Sequence, residues 1–129
     1  MSSIFTKIIN GDIPAYIVGE NEHCIAFLDI QPVTKGHVLV VPKKEIDYVF
    51  DLPDSDLSYL MSFAKTIAKK IESVIACDRV GVSIIGLEVP HAHVHLMPIQ
   101  SITDMDFGKK RLQFSDEEFK NIAHEIRNA

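Results

Sequence analysis

Three of the six histidines in this chain fall within five residues, in the run His91-Ala92-His93-Val94-His95-Leu96-Met97-Pro98. Their period is two. In an extended segment, side chains two apart point the same way, so three imidazoles line one face while Ala92, Val94 and Leu96 turn to the other. Neighbouring histidines then stand ~6.5–7 Å apart along the chain. Two chemistries suit this spacing. One imidazole can attack an electrophile while its neighbours donate hydrogen bonds to the same ligand. Alternatively, a histidine pair on a strand can share a metal ion, given a further ligand from elsewhere such as Glu88 or His37. The residues by themselves leave both open.

Such a strand needs a sheet and something to cover it. Residues 3–11 read as a short helix, capped by Ser3, with Ile4, Phe5, Ile8 and Ile9 on one face and Gly11 at its end. Strand-like runs follow at 16–18, 23–28 and 37–41, separated by turn-rich segments of a length that suits antiparallel neighbours. The longest helix spans 54–75. Leu57, Ala64 and Ile71 recur every seven residues, as do Leu60, Ile67 and Val74, and Met61, Ala68 and Ile75 broaden the stripe. Further strands are expected at 79–85 and 91–97, joined through Gly86 and Pro90. Ser115-Asp116-Glu117-Glu118 is a capping box that opens a last helix with Phe119, Ile122, Ala123 and Ile126 on one side. The class is α+β, an antiparallel sheet with one long helix and short terminal helices.

At 129 residues, 47% of them apolar, the chain suits a single domain over 1–129 with a core that needs no staples. A net charge of −5, with no basic cluster longer than Lys109-Lys110-Arg111, argues against a nucleic-acid partner. Cys24 and Cys77 form no C-x-x-C pair, which fits a reducing compartment. Residues 1–5 lack a basic region and no apolar run nears the ~20 residues of a membrane helix, so a cytoplasmic protein without a membrane partner is expected.

The run from His91 to Met97 resembles the motif of the histidine triad (HIT) superfamily, and the resemblance extends over nearly the whole chain. Ile4-Phe5-Thr6-Lys7-Ile8-Ile9-Asn10-Gly11-Asp12-Ile13-Pro14-Ala15 is similar to the family's opening helix and its I-P-A turn. Phe27-Leu28-Asp29-Ile30-Gln31-Pro32 resembles its nucleoside-pocket segment, and Gly36-His37-Val38-Leu39-Val40-Val41-Pro42-Lys43 its next strand. The small nucleoside phosphoramidate hydrolases are the branch it resembles most. The resemblance implies a HIT-like sheet and an enzyme that cleaves at the α-phosphate of a nucleoside 5′-phosphoramidate or related purine nucleotide conjugate. His93 would attack phosphorus to give a nucleotidyl-histidine that water then hydrolyses. His95 and His37 would donate to phosphate oxygens, and His91 would support them through hydrogen bonds. Asp29 would accept the ribose hydroxyls, while Ile4, Phe5, Ile8, Phe27 and Ile30 form a slot for the base. A homodimer and the absence of any cofactor are also implied.

The departures are as specific as the matches. Zinc-carrying relatives have two cysteines where this chain has Ser3 and Thr6, and a histidine where it has Glu45, so no structural zinc is expected. Before the triad, Ile85-Gly86-Leu87-Glu88-Val89-Pro90 is shorter than the usual glycine-rich loop and lacks its glutamine. Glu88 has two readings. If its carboxyl reaches the phosphate it must be protonated there and can act as the acid for a leaving amine. Otherwise it is a solvated loop residue. A nucleotide-binding regulatory module with weak turnover is the alternative to the enzyme.

Overall fold

The computed structural model describes residues 2–129; Met1, first of the residues read for a leader, lies outside them. Five strands form one sheet: β1 (Ile17–Glu20), β2 (Cys24–Leu28), β3 (Val38–Pro42), β4 (Arg79–Ser83) and β5 (Val94–Ile99). Their spatial order is β1-β2-β3-β5-β4, and every pair is antiparallel. The first three strands form a meander, and β5 inserts between β3 and β4. Gly36, at φ +90°, supplies the left-handed backbone that turns the chain into His37 and β3.

Period-two alternation divides the sheet into two apolar faces. Cys24, Ala26 and Leu28 of β2, Val38 and Val40 of β3, and Val94 and Leu96 of β5 all join one core. That core is covered by α2 (Asp54–Val74), through Leu60, Ala64, Ile67 and Ile71, and by α3 (Asp116–Arg127) through Phe119, Ile122, Ala123 and Ile126. The α2 stripe is narrower than its sequence pattern, since Met61 and Val74 stay exposed. The opposite face carries a smaller cluster of Phe5, Ile25, Phe27, Leu39 and Val41, closed by α1 (Ile4–Ile9). The capping box at Ser115 and Glu118 forms as its sequence requires. No helix among the described residues is long and apolar enough to cross a membrane.

The triad strand begins later than its alternation suggests. The expected strand at 91–97 is replaced by a ladder that starts at Val94, paired with Val40, and runs on to Ile99. Pro90 has no N–H to give. The His91 amide turns back to Val89 O (2.8 Å), and the Ala92 amide reaches Ile46 O (2.8 Å) in the segment after β3. Those bonds lift residues 91–93 off the ladder. The strand expected at 79–85 stops at Ser83, whose pair with His95 is the last of the β4–β5 ladder. The alternation itself survives off the ladder, because Ala92 packs into the α2-side core while His91 and His93 face the other way, against Phe5.

Candidate active site

His91, His93, His95 and His37 are all buried, and the partners of their ring nitrogens fix where each proton sits. Burial and neighbouring imidazoles disfavour the charged form of such a ring. Burial, then the neighbouring histidines and the Arg111 guanidinium, hold His37 down at about 3. Burial, with His93 and Arg111 adding to it, holds His95 at about 4. His91 is also lowered, chiefly by burial. A neutral ring has one donor and one acceptor nitrogen, so a single known partner assigns both.

Two short relays result. The Val33 amide donates to His37 Nδ1 (3.0 Å), which makes His37 Nε2 the protonated nitrogen. His37 Nε2 donates to His95 Nδ1 (2.9 Å), so His95 carries its own proton on Nε2. In the second relay, His91 Nε2 donates to Pro42 O (2.8 Å), leaving Nδ1 to accept from Ser3 Oγ (2.7 Å). The His91 carbonyl then accepts from His93 Nδ1 (2.7 Å). His93 Nε2 is left with a bare lone pair and His95 with an N–H, on rings whose centroids are 4.9 Å apart. A nucleophile stands beside a donor.

Both rings line a pocket of about 150 Å³ with Asp29, Glu88, Phe107 and Arg111. Asp29 holds its place through Oδ1, which accepts from the Gln31 amide (2.8 Å), and its Oδ2 lies 3.7 Å from His37 Nε2. Desolvation raises its carboxyl above the usual range, against the pull of that amide and of Arg111. Glu88 lies exposed in the same pocket. The resemblance has His37 reaching phosphate oxygens. Both its ring nitrogens are engaged within the protein, so its proton serves His95.

The expected base slot is divided. Phe5 packs edge-on against His93, with centroids 5.0 Å apart, and against Phe27 at 5.5 Å. Ile8 packs on the same cluster. Ile4 is half exposed and Ile30 is 67% exposed. Ile30 borders a different and larger concavity, about 950 Å³ between α3 and β1, which contains none of the four histidines. A wide groove away from the triad, whose His124 and Lys120 are exposed, is the poorer candidate for chemistry.

Two metal arrangements can be weighed on their donor atoms. Asp29, His37 and His95 bring one ligand atom each within 4.8 Å of one another. To bind an ion through Nε2, neutral His37 would have to move its proton to Nδ1, where it would face the Val33 N–H. The backbone therefore favours the proton relay. The second arrangement is the set of positions at which zinc-carrying relatives differ. Ser3, Thr6, Glu45 and His91 do converge, and they bind one another: Glu45 Oε1 accepts from the Ser3 amide (2.6 Å) and from Thr6 Oγ1 (2.6 Å), while Ser3 Oγ caps α1 at the Thr6 amide (3.0 Å). Those bonds hold the Glu45 carboxyl below its usual range. Two hydroxyls and a committed carboxylate are poor substitutes for zinc's thiolates and imidazoles.

Arg111 is the site residue that sequence reasoning passed over. It belongs to the longest basic run in the chain, and its neighbours Lys109 and Lys110 are exposed. Nothing local distinguishes it; the fold alone carries it to the triad.

The HIT domain family matches residues 10–102 of this chain. A HIT-like protein of Methanocaldococcus jannaschii is 44% identical over 102 residues, covering 74% of this chain and 77% of its own. The adenosine 5′-monophosphoramidase of Schizosaccharomyces pombe is 34% identical, covering 98% of this chain and 96% of its own. Among solved structures, a zinc-bound histidine triad family protein of Mycobacterium smegmatis superposes with a TM-score of 0.85 at 27% identity, over 99% of this chain and 92% of that one. Motif, sheet order and relatives agree, and the chain belongs to the HIT domain family.

Proposed function

We propose that this protein is a nucleotide hydrolase that cleaves nucleoside 5′-phosphoramidates, or related purine nucleotide conjugates, at the α-phosphate. The observation that carries the reading is the bond from His93 Nδ1 to the His91 carbonyl, which leaves His93 Nε2 unprotonated in a pocket beside the His95 N–H. The relative from Schizosaccharomyces pombe, named as an adenosine 5′-monophosphoramidase, supports the substrate class.

The steps balance. The His93 Nε2 lone pair forms a bond to phosphorus and the P–N bond to the leaving amine breaks, its electron pair staying on nitrogen. The amine takes a proton from Glu88, the acid group at the pocket's exposed rim. His95 Nε2–H donates to a phosphoryl oxygen as charge develops there. Water then attacks phosphorus, Glu88 recovers a proton from it, and the lone pair returns to His93. Dividing one displacement into two lowers each barrier. Asp29 accepts the ribose hydroxyls, and Phe5, Phe27 and Ile8 form the apolar wall toward the base. The enzyme works in the cytoplasm as a homodimer, an assembly supported by β4, which has a strand on one side only and a half-exposed Val82.

The test is incubation with adenosine 5′-phosphoramidate and quantitation of AMP. Release of AMP and ammonia in equal amounts is expected. AMP that binds tightly with no turnover above that of His93→Ala would leave a nucleotide-binding module instead.

A further inference from the structure

Apart from its histidines, the triad pocket holds three ionisable groups: the carboxyls of Asp29 and Glu88, and the guanidinium of Arg111. His37 and His95 are neutral across the physiological range. An anion entering this pocket would meet the Asp29 carboxylate, the carboxyl of Glu88 and a single permanent positive charge. Arg111 has no carboxylate within ion-pair distance among the described residues. Its charge is instead felt by Asp29, His37 and His95.

The guanidinium is also fixed in place. Nη1 donates to Gln31 O (2.7 Å), in the turn that carries Asp29, and Nη2 reaches Phe107 O (3.4 Å). Its carbon lies 5.8 Å from the centroid of the Phe107 ring, which packs edge-on against His95 at 4.8 Å. A guanidinium carries five N–H donors, so these two carbonyls leave three unspent. A half-buried cation, braced by backbone on two sides and short of partners, is built to receive an oxyanion, and its planar fork matches phosphoryl oxygens.

We propose that Arg111 binds the non-bridging oxygens of the phosphoryl group that His93 attacks, and offsets there the repulsion of the Asp29 carboxylate. This assignment rests on the reading of His93 as nucleophile for its catalytic half, and stands apart from it for its binding half. It fills a vacancy left by His37, whose proton is given to His95. Phosphate is held by one guanidinium and one imidazole N–H.

Calorimetric titration of AMP and adenosine into the same protein isolates the phosphate contribution from that of the nucleoside. AMP is expected to bind more tightly than adenosine, and Arg111→Gln to weaken AMP about 10–100-fold while leaving adenosine unchanged. Arg111→Lys, which keeps the charge and loses the fork, should fall between, and it replaces the glutamine variant should that one fail to fold. In turnover of the phosphoramidate, Arg111→Gln should lower kcat as well as raise KM, with partial rescue by added guanidinium ion. An AMP preference that survives both substitutions would overturn the assignment, as would equal affinities for AMP and adenosine in the unaltered protein. Should the protein not turn over the phosphoramidate at all, the hydrolase reading fails and the binding comparison still decides the role of Arg111.

Discussion

His93 has one nitrogen committed to a backbone carbonyl and one free, so its replacement removes the proposed attacking atom without opening the sheet. His93→Ala should lower turnover by at least ~10³-fold while AMP still binds, measured by product release alongside titration. Near-normal turnover would exclude the covalent step. Glu88 is exposed, and its expected signature is a leaving-group effect. Glu88→Gln should lose activity on conjugates with strongly basic amines and keep it where the leaving group needs no proton. A uniform loss, or none, leaves Glu88 a loop residue. Both variants ask about single atoms, and neither depends on the base slot being placed correctly.

The element that matters most to the triad is the one farthest from it in sequence. Ser3 caps α1 and hydrogen-bonds His91, 88 positions along the chain, so a six-residue helix is tied to the histidine whose carbonyl orients His93. Ser3→Ala removes the cap and leaves the buried His91 Nδ1 with only Thr6 Oγ1, 3.5 Å away and already donating to Glu45, in place of a 2.7 Å donor. The expected loss is about 2–4 kcal/mol of stability by urea unfolding, with a fall in kcat and little change in AMP affinity. Ser3→Thr should restore most of both. The alternation of His91, His93 and His95 with Ala92, Val94 and Leu96 was legible in the sequence because period two survives wherever the chain is extended. Strand limits were not, since the ladder starts at Val94 only after the Ile46 carbonyl has captured the Ala92 amide. Likewise the direction of the His37 proton depends on a backbone amide, and every residue but proline has one. Arg111 was hidden because its position depends on the path of residues 100–114 across the pocket rather than on any local pattern.

Across the whole molecule, the buried histidines give stability a pH dependence of definite sign. His37 and His95 fall from an ordinary 6.5 to about 3 and about 4, and His91 moves the same way. Below pH 6.5 the unfolded chain takes up protons that the folded one refuses. Stability should therefore be full above about pH 6.5 and decline toward pH 4, by up to about 1.4 kcal/mol per pH unit for each group. Asp29, shifted upward, acts in the opposite sense, but as one group against three. Urea midpoints between pH 4 and 8 check this, and a flat profile would contradict the neutral relay. The assembly is tested by sedimentation: a mass of twice 14.5 kDa is expected at micromolar concentration, and the single-chain mass would refute the dimer. The amide of Val33, which decides how the His37–His95 relay is oriented, has one more consequence. The instruction resides in the main chain of the turn between β2 and β3, where side-chain drift cannot erase it. Most substitutions at position 33 would leave the relay's polarity intact, whereas proline, or one residue inserted between Pro32 and Gly36, would withdraw the amide and free the relay to reverse. For this site, the length of a turn sets the direction in which a proton is held.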